Sequence, residues 1–276
     1  MKTLILNSSG NVGKSTITKE FLYPRLENAL IVEIETVNDS NITNSNLNII
    51  NFNINNDFSE LYLSCLEEEN ILVDIGASNL SSFFEKIVEF DGFLSLFDFF
   101  IIPTVSTIKE TKDTLKTIQF LLSLEVEKEK IKVIPNKVKK DLKAEFSILF
   151  QNSEIEIKKN CFIKDSKLFP NLALLKTDIK TIFRSDLDIY KKEILNAETP
   201  TEKMRLIKID LSNRMAHTII KNFDEMFEIL FDQEPVKMEL EENQINVKSH
   251  TRKKPIKKEK ESKQTAEINF DESEDF

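Results

Sequence analysis

The chain has 276 residues, which is long enough for one large domain with a substantial core or for two small ones. Its formal net charge of −9 argues against a surface that binds nucleic acid nonspecifically over its whole area. No apolar run approaches the roughly 20 residues of a membrane-spanning helix, and Met1 and Lys2 lead into strand-like sequence instead of a signal peptide. We therefore expect a cytoplasmic protein that does not enter a membrane.

Strand-like and helix-like segments alternate along the first half of the chain. Apolar runs rich in Ile and Val predict strands at 3–7, 29–35, 47–54, 70–77, 93–105 and 130–138. Amphipathic segments predict helices from residue 15 to a break at Pro24, and at 58–69, 78–90, 107–124 and 141–151. Since strands that alternate with helices at this spacing form parallel sheets, we predict an α/β fold with a mostly parallel central sheet and helices on both faces.

The alternation weakens beyond residue 155. The segment EIKKNCFI (156–163) is a candidate for one further strand, and TDIKTIFRSDL (177–187) is typical of a helix. A long helix is predicted from Pro200 to Phe231 because apolar residues recur there at helical spacing. They are Met204, Ile207, Leu211, Met215, Ile219, Phe223 and Leu230. This stripe faces either the domain's own core or a dimer or partner interface.

A change in composition after Glu234 and Pro235 marks a domain boundary. We predict a globular domain at 1–233 and a flexible charged tail at 234–276, which is disordered by composition. The tail contains a basic block at 248–260 (KSHTRKKPIKKEK) and an acidic end, INFDESEDF. Such a tail is either solubilising, or it contacts nucleic acid or an acidic partner through its clustered Lys and Arg side chains. The acidic end would suit a docking peptide or an intramolecular competitor for the basic block.

The cysteines and histidines do not form a recognisable site. Cys65 and Cys161 lie far apart and lack the spacing of a zinc site or a disulfide framework, so we expect two buried thiols. His217 falls in a helical segment and His250 in the basic block, and neither has a ligand set nearby. Both histidines are interpreted as structural or solvated.

The stretch NSSGNVGKST (7–16) joins the first predicted strand to the first predicted helix and contains two of the chain's four glycines. A glycine-rich turn in this position places successive backbone N–H groups around a phosphate. Lys14 would reach the β- and γ-phosphates, and the Ser15 hydroxyl would bind Mg²⁺. The motif G-x-x-x-x-G-K-[ST] is complete except that Ser8 stands at its first glycine. We therefore predict a nucleotide-binding phosphate loop.

Carboxylates follow two of the predicted strands. Asp74 ends the strand of LVDIG, where a Walker B carboxylate holds Mg²⁺, and the backbone N–H of Gly76 can approach the γ-phosphate. Ligands of open α/β sheets bind at the carboxyl ends of the strands, so the loop and Asp74 are expected to meet in one crevice. Glu33 and Glu35 alternate in IVEIE and share one face. Glu35 is the candidate for Mg²⁺ or the attacking water, unless both are edge carboxylates in solvent.

The segments SSGNVGKST, IVEIET, LVDIGASN, FIIPT and VIPNKV occur in an order and at separations that resemble the ParA/MinD group of P-loop ATPases. Within that group, the first and third segments are most similar to StbB-type plasmid stability proteins. The resemblance spans roughly residues 1–225 and leaves the tail outside it. It implies a SIMIBI-like P-loop NTPase fold with ATP and Mg²⁺ as cofactors.

The resemblance also implies roles for individual residues. Lys14, Glu35 and Asp74 would be catalytic, and Ser15, Glu35 and Asp74 would surround Mg²⁺, with Glu35 also next to the hydrolytic water. Asn136 of PNKV either reads the adenine edge or is an ordinary turn residue. The implied nucleotide site comprises Ser9, Gly10, Asn11, Val12, Gly13, Lys14, Ser15, Thr16, Gly76 and Asn136.

Two positions of the loop depart from the family's deviant motif, K-G-G-x-G-K-[ST]. Ser9 replaces the signature lysine that reaches the partner's phosphates across an ATP-sandwiched dimer, and Asn11 replaces the second glycine. A hydroxyl cannot supply that charge, so its contribution to transition-state stabilisation is missing or comes from another cation. We expect slow or partner-dependent hydrolysis, as in a nucleotide switch.

The leading hypothesis is a ParA-like ATPase that acts as a nucleotide switch in plasmid partition, plasmid stability or DNA positioning. It would form a homodimer on ATP binding and contact DNA through residues 248–260, through an adaptor protein, or through both. The alternative is a P-loop kinase or ligase for a small molecule, although the scattered arginines do not favour an arginine-rich lid. A membrane-surface regulator of the MinD type would need a C-terminal amphipathic helix, whereas this C-terminus is acidic. PNKV lacks the Asp of the guanine-reading NKxD pattern, which favours ATP over GTP.

Overall fold

The computed structural model describes residues 1–34, 47–53, 58–90, 92–184 and 186–238. Within these residues the centre is a sheet of six parallel strands in the order β3-β2-β4-β1-β5-β6. The strands are β1 (Lys2–Ile5), β2 (Leu30–Ile34), β3 (Ile49–Phe52), β4 (Ile71–Ile75), β5 (Phe99–Thr104) and β6 (Ile131–Pro135). The predicted α/β class and parallel sheet are confirmed.

The segment that leaves the phosphate loop is helical but is not one regular helix. It begins as α1 (Lys14–Thr16), continues as a π-helix (Ile17–Leu22) and closes with a 3-10 turn (Tyr23–Arg25) that contains Pro24. Proline lacks the N–H that a helix interior needs, which explains why the segment ends here, as predicted.

The remaining helices alternate with the strands and then accumulate at the end of the described chain. In the first part they are α2 (Phe58–Glu67), α3 (Leu80–Val88), α4 (Ile108–Ser123), α5 (Leu142–Glu145) and α6 (Ser147–Asn152). In the second part they are α7 (Leu168–Leu175), α8 (Ile179–Ile182), α9 (Ile189–Asn196) and α10 (Pro200–Phe231). The predicted alternation therefore extends to α6.

Both faces of the sheet are buried, which explains the continuous apolar runs of its strands. On one face Leu4 of β1 belongs to a core cluster that includes buried residues of α2 to α6. On the other face Ile5 belongs to a cluster formed by the 14–25 segment and the second half of α10. A smaller cluster joins α7 and α8 to the middle of α10.

The long helix α10 has the predicted bounds. It is capped by Thr199, whose side chain accepts a hydrogen bond from the backbone N–H of Glu202. Of its predicted stripe, Phe223 is 2% exposed, whereas Met204 is 56% exposed. The stripe therefore packs on the core in the second half of the helix, and its first turns are open to solvent.

The candidate strand at 156–163 does not form. Ile157, Cys161 and Ile163 are buried, and this spaced burial resembles that of a strand. The segment contacts the sheet region through the isolated bridge of Val138 with Lys164, beyond the end of β6. The backbone N–H of Ile163 donates to the carbonyl oxygen of Pro135 at 2.9 Å, and that of Val138 donates to the carbonyl oxygen of Ile163 at 3.0 Å. The pairing is therefore too short to extend the sheet by a seventh strand within the described residues.

Other predicted elements are also shorter than expected, and the helix predicted at 177–187 occupies only Ile179–Ile182. The strand predicted at 93–105 occupies only Phe99–Thr104, and a 3-10 helix covers Phe93–Leu96. The helix predicted at 141–151 is divided at Phe146, which is 1% exposed and anchors the break in the core. Apolar residues that fill the core between two elements resemble the elements themselves in sequence, and this made the predicted elements too long.

Both cysteines are buried thiols, as predicted, and burial raises the pKa of Cys65 and Cys161 to about 11. The ring of His217 makes a 2.6 Å hydrogen bond with the carbonyl oxygen of Arg184, which fits a structural role. His250 lies outside the described residues. No group of three His, Cys, Asp or Glu side chains suited to a metal ion occurs in the part of the chain that the structure describes.

Residues 239–276, which include the basic block at 248–260 and the acidic end, lie outside the described residues. Beyond residue 233, the backbone N–H of Val236 donates to the carbonyl oxygen of Arg25 at 3.1 Å. The division into a domain at 1–233 and a flexible tail remains a prediction. In the described ranges, none of the helices has the length and apolar character required to cross a bilayer.

Candidate nucleotide site

The phosphate loop, residues 7–16, runs from the end of β1 to the start of α1 and contains two residues in the left-handed conformation. Asn11 has a φ of 58° and Gly13 has a φ of 99°. Asparagine tolerates this conformation better than most residues, which explains how Asn11 can stand in a turn that usually uses glycine. Gly10, Asn11 and Ser15 are exposed, so this second half of the loop presents a surface to solvent.

Both the backbone conformation of Gly13 and its close neighbour Asn136 exclude a larger residue at this position. A Cβ at this position would lie 2.2 Å from Nδ2 of Asn136. That Nδ2 donates to the carbonyl oxygen of Val12 at 2.9 Å, and Oδ1 of Asn136 accepts the backbone N–H of Lys137 at 2.8 Å. Both ends of the Asn136 amide therefore hold the loop or its own turn, and its role as an adenine reader stays a prediction.

Lys14 is buried, with 8% of its surface exposed, and its ammonium lies against the first half of the loop. Nζ donates to the carbonyl oxygen of Ser9 at 3.0 Å and to that of Asn7 at 3.4 Å. The loop carbonyls thus hold a positive charge next to the exposed backbone of Gly10 and Asn11. This arrangement suits an anionic group such as a phosphate.

Asp74 lies near the carboxyl end of β4, is 4% exposed and accepts a hydrogen bond from the Ser15 hydroxyl. Burial raises the pKa of Asp74 to about 6; the Ser15 hydrogen bond lowers it, and the charge of Glu33 raises it. Its Oδ2 is buried and has no hydrogen-bond partner among the described residues. An unpartnered carboxylate oxygen beside a hydroxyl is a donor set that fits Mg²⁺.

Glu33, rather than Glu35, is the described carboxylate next to Asp74. The two residues are register partners on the neighbouring strands β2 and β4. Glu33 also forms an ion pair with Lys19, with 2.7 Å between Oε1 and Nζ. Glu35 lies outside the described residues, so its predicted place next to Mg²⁺ stays a prediction. The sequence offered a signal for Glu33 in its alternation with Glu35, but not its pairing with Lys19.

Gly76 directly follows β4, which ends at Ile75. Its backbone N–H donates to the carbonyl oxygen of Ile34 at 3.0 Å. The side chain of Asn79 donates to the same oxygen at 3.1 Å. A contact from Gly76 to a γ-phosphate would have to replace this hydrogen bond.

Ser9, which the sequence analysis compared with a signature lysine, faces inward. It is 1% exposed, and its hydroxyl donates to Oδ2 of Asp113 on α4 at 2.6 Å. Asp113 is 104 residues away in sequence, and sequence reasoning did not single it out. No local motif marks it, because the contact depends on β5 lying beside β1 in the sheet.

The sheet order brings most of the predicted site together. β4, β1, β5 and β6 are consecutive neighbours, so their carboxyl ends gather Asp74, the phosphate loop and Asn136 at one edge. Glu35 and residues 248–260 lie outside the described residues. The loop, Asp74 and Asn136 therefore lie at the same edge of the sheet, and the nucleotide crevice itself stays a prediction.

Comparisons with known proteins give likenesses of shape. No protein-family profile matches the chain, and neither does any curated protein. Similar solved structures include the MinD cell division protein of Aquifex aeolicus, at 16% identity and a TM-score of 0.41, over 79% of this chain and 98% of that one. A MinC:MinD cell division protein complex from Aquifex aeolicus is similar at 15% identity and a TM-score of 0.46, over 79% and 96%.

An ATP complex of a McdA variant from Cyanothece is similar at 15% identity and a TM-score of 0.42, over 77% of this chain and 96% of that one. At these identities and scores, the likenesses do not by themselves identify the chain's family or its function.

Proposed function

We propose that this protein is an ATP-binding P-loop ATPase of the ParA/MinD type. The observation that carries the proposal is the phosphate loop. Lys14 is held inside it, Gly13 is left-handed where only glycine fits, and Ser15 contacts the Walker B-like carboxylate of Asp74. These residues lie at the carboxyl ends of parallel strands, where α/β folds bind nucleotides.

Ser15 and Asp74 are proposed to hold Mg²⁺, with Glu35 as a further ligand. When bound, the ion would neutralise phosphate charge. The unpartnered Oδ2 of Asp74 supports this assignment, since a buried carboxylate oxygen without a partner is costly in free energy. The implied catalytic set is Lys14, Glu35 and Asp74.

Hydrolysis is proposed to be slow or dependent on a partner. Ser9 replaces the signature lysine, and its hydroxyl is directed at Asp113 of the same chain. It offers no positive charge to a phosphoryl group that develops negative charge in the transition state. This supports a nucleotide switch more than a metabolic ATPase.

The finer proposal is a cytoplasmic switch in plasmid partition or stability that is similar to the StbB-type proteins. ATP binding would promote a homodimer, and DNA would be contacted through residues 248–260 or through an adaptor. The order of the sequence motifs supports this proposal, and the clustered lysines and arginines of the basic block suit phosphate contacts.

The test is to measure the mass of the protein in solution with ATP, with ADP and without nucleotide, for the wild type and Lys14→Ala. We expect a dimer with ATP that the variant does not form. A monomer in every state would contradict the switch and favour the small-molecule kinase or ligase.

Two further measurements constrain the finer proposal. Turnover of ATP at about ten or more per second without a partner would contradict slow hydrolysis. A gel-shift assay with a chain truncated at about residue 240 tests the tail, because loss of the basic block should reduce salt-dependent DNA binding. Unchanged binding after truncation would remove the basic block from the proposal.

A further inference from the structure

Helix α4 contacts the first three residues of the phosphate loop through one of its faces. Ser9 Oγ donates to Asp113 Oδ2 at 2.6 Å, and Asn7 Nδ2 donates to Thr114 Oγ1 at 2.9 Å. The hydroxyls of Ser8 and Thr117 lie 3.4 Å apart. Residues 113, 114 and 117 lie within about one turn of the helix. We name this set of three α4 side chains the α4 clamp.

Ser9 connects the α4 clamp to Lys14 in the candidate nucleotide site. Its hydroxyl is held by Asp113, its backbone N–H donates to Asn7 Oδ1 at 2.9 Å, and its carbonyl oxygen accepts from Lys14 Nζ at 3.0 Å. With 1% of its surface exposed, Ser9 has no room to turn to solvent. A chain of hydrogen bonds thus runs from Asp113 through Ser9 to the lysine ammonium.

We propose that Asp113 is a positioning residue for nucleotide binding, which holds Ser9 and thereby the Lys14 ammonium in the geometry that receives phosphate. This inference rests on the proposed function. Asp113 is suited to the role because it is the charged member of the clamp, and a hydrogen bond to a carboxylate is stronger than one to a hydroxyl. Its side chain is 21% exposed, so the bond is largely shielded from water.

The negative charge of Asp113 acts against nucleotide binding, whereas its hydrogen bond to Ser9 favours it. A carboxylate repels a phosphate, so its net benefit requires that the hydrogen bond to Ser9 outweigh that repulsion. The two effects can be separated, because Asn keeps an oxygen acceptor in the same place and removes the charge. Ala removes both the acceptor and the charge.

The experiment measures the dissociation constant of MgATP by calorimetry for the full chain and its variants Asp113→Ala, Asp113→Asn, Ser9→Ala and Ser9→Ala/Asp113→Ala. We expect Asp113→Ala to bind about tenfold more weakly, as for loss of a charge-assisted hydrogen bond. Asp113→Asn should bind with close to wild-type affinity. The double variant should be no weaker than either single one, since both remove the same hydrogen bond. Lys112→Ala, an exposed neighbour on α4, should match the wild type.

Rescue by Asn and the non-additive cycle are results that a merely structural role in α4 would not produce. If Asp113→Ala fails to fold, Asp113→Asn and Ser9→Ala still decide the matter through the same affinities. A wild type that binds ATP together with an equally tight Asp113→Ala or Ser9→Ala would overturn this inference alone. A wild type that binds no ATP would overturn the proposed function, and this inference with it.

Discussion

The phosphate loop is held at both of its ends, and the two ends are held by different chemistry. Before Gly10, the loop is tied to α4 by side-chain hydrogen bonds from Asn7 and Ser9, and the single charged group among these partners is Asp113. The 14–25 segment that follows the loop is tied instead to the helices near the end of the described chain. Those ties are made by two buried ionisable side chains, Glu20 and Arg25.

Glu20 connects the π-helix to α8, since its Oε2 accepts the backbone N–H of Ile179 at 2.8 Å. Arg25 connects the 3-10 turn to α10. Its guanidinium donates to the carbonyl oxygen of Ile220 at 3.1 Å and pairs with Asp224 at 2.7 Å. Burial lowers the pKa of Arg25 to about 10, and Asp224 opposes that shift, so the guanidinium is charged at neutral pH.

Because the two ends are held by different groups, substitutions at one end should affect nucleotide binding and substitutions at the other should affect the stability of the fold. A hydrogen bond between small polar groups near the loop can be lost at modest free-energy cost. A buried charge that loses its partner costs several times more. Changes before Gly10 are therefore expected to alter nucleotide affinity, and changes in the 14–25 segment are expected to alter the stability of the fold.

The largest effect is expected for Arg25→Ala. This change removes a side chain that is 1% exposed and that packs on the rings of Phe21 and Phe223, and it leaves Asp224 without its ion pair. The free energy of unfolding should fall by about 3 kcal/mol in urea denaturation. Arg205→Ala, at an exposed position of α10, should change it by less than about 0.5 kcal/mol. Equal effects of the two substitutions would show that the buried contacts of Arg25 do not contribute to the stability of the fold.

Gly13→Ala tests the loop between the two ends. The left-handed backbone disfavours alanine, and the new Cβ would meet the side chain of Asn136 at 2.2 Å. We expect a loss of about 2 kcal/mol in unfolding free energy and a loss of ATP binding. At Gly10 a Cβ would meet nothing within 4 Å, so Gly10→Ala should retain the thermal stability of the wild type. If thermal scans show the same midpoint for both variants, the close packing on Asn136 is not a constraint.

Glu20→Gln has the smallest effect, and that effect depends on pH. Burial raises the pKa of Glu20 from 4.5 to about 8. The hydrogen bond from Ile179 opposes this shift, the charge of Asp178 adds to it, and the charge of Lys19 opposes it. The folded protein keeps a proton that the unfolded chain releases. Its stability contribution is therefore full below about pH 4.5 and is lost as pH rises through about 8.

Between pH 7 and pH 8, the wild type should lose about 1 kcal/mol of unfolding free energy from this group. Urea denaturation of Glu20→Gln should lack that loss, while Glu27→Gln, at an exposed position of the same region, should retain it. The prediction is contradicted if Glu20→Gln and the wild type show parallel pH profiles.

Local patterns were sufficient to predict the sheet, the helix bounds of α10 and the loop. The loop is recognisable because its glycines and Lys14 stand between a buried strand and a helix, and this context is itself local. The bounds Pro200–Phe231 follow from apolar spacing between a proline start and the loss of apolar residues beyond the helix.

Contacts between distant segments were not predictable in the same way. Asp113 meets Ser9 only because β5 lies next to β1, and Glu33 meets Asp74 only through the pairing of β2 with β4. The false strand at 156–163 has the same origin, because its buried side chains depend on tertiary packing. A periodic pattern reports burial, and it does not report which segment supplies the neighbour.

The loop around Lys14 is proposed to bind ATP. The most direct test is calorimetric titration of ATP with Mg²⁺ into the wild type, Lys14→Ala and, as a control, Lys112→Ala. We predict that the wild type and Lys112→Ala bind alike and that Lys14→Ala binds about 100-fold more weakly, because a charge-assisted contact to phosphate is lost. A wild type that does not bind ATP, or a Lys14→Ala variant that binds as tightly as the wild type, would contradict the account.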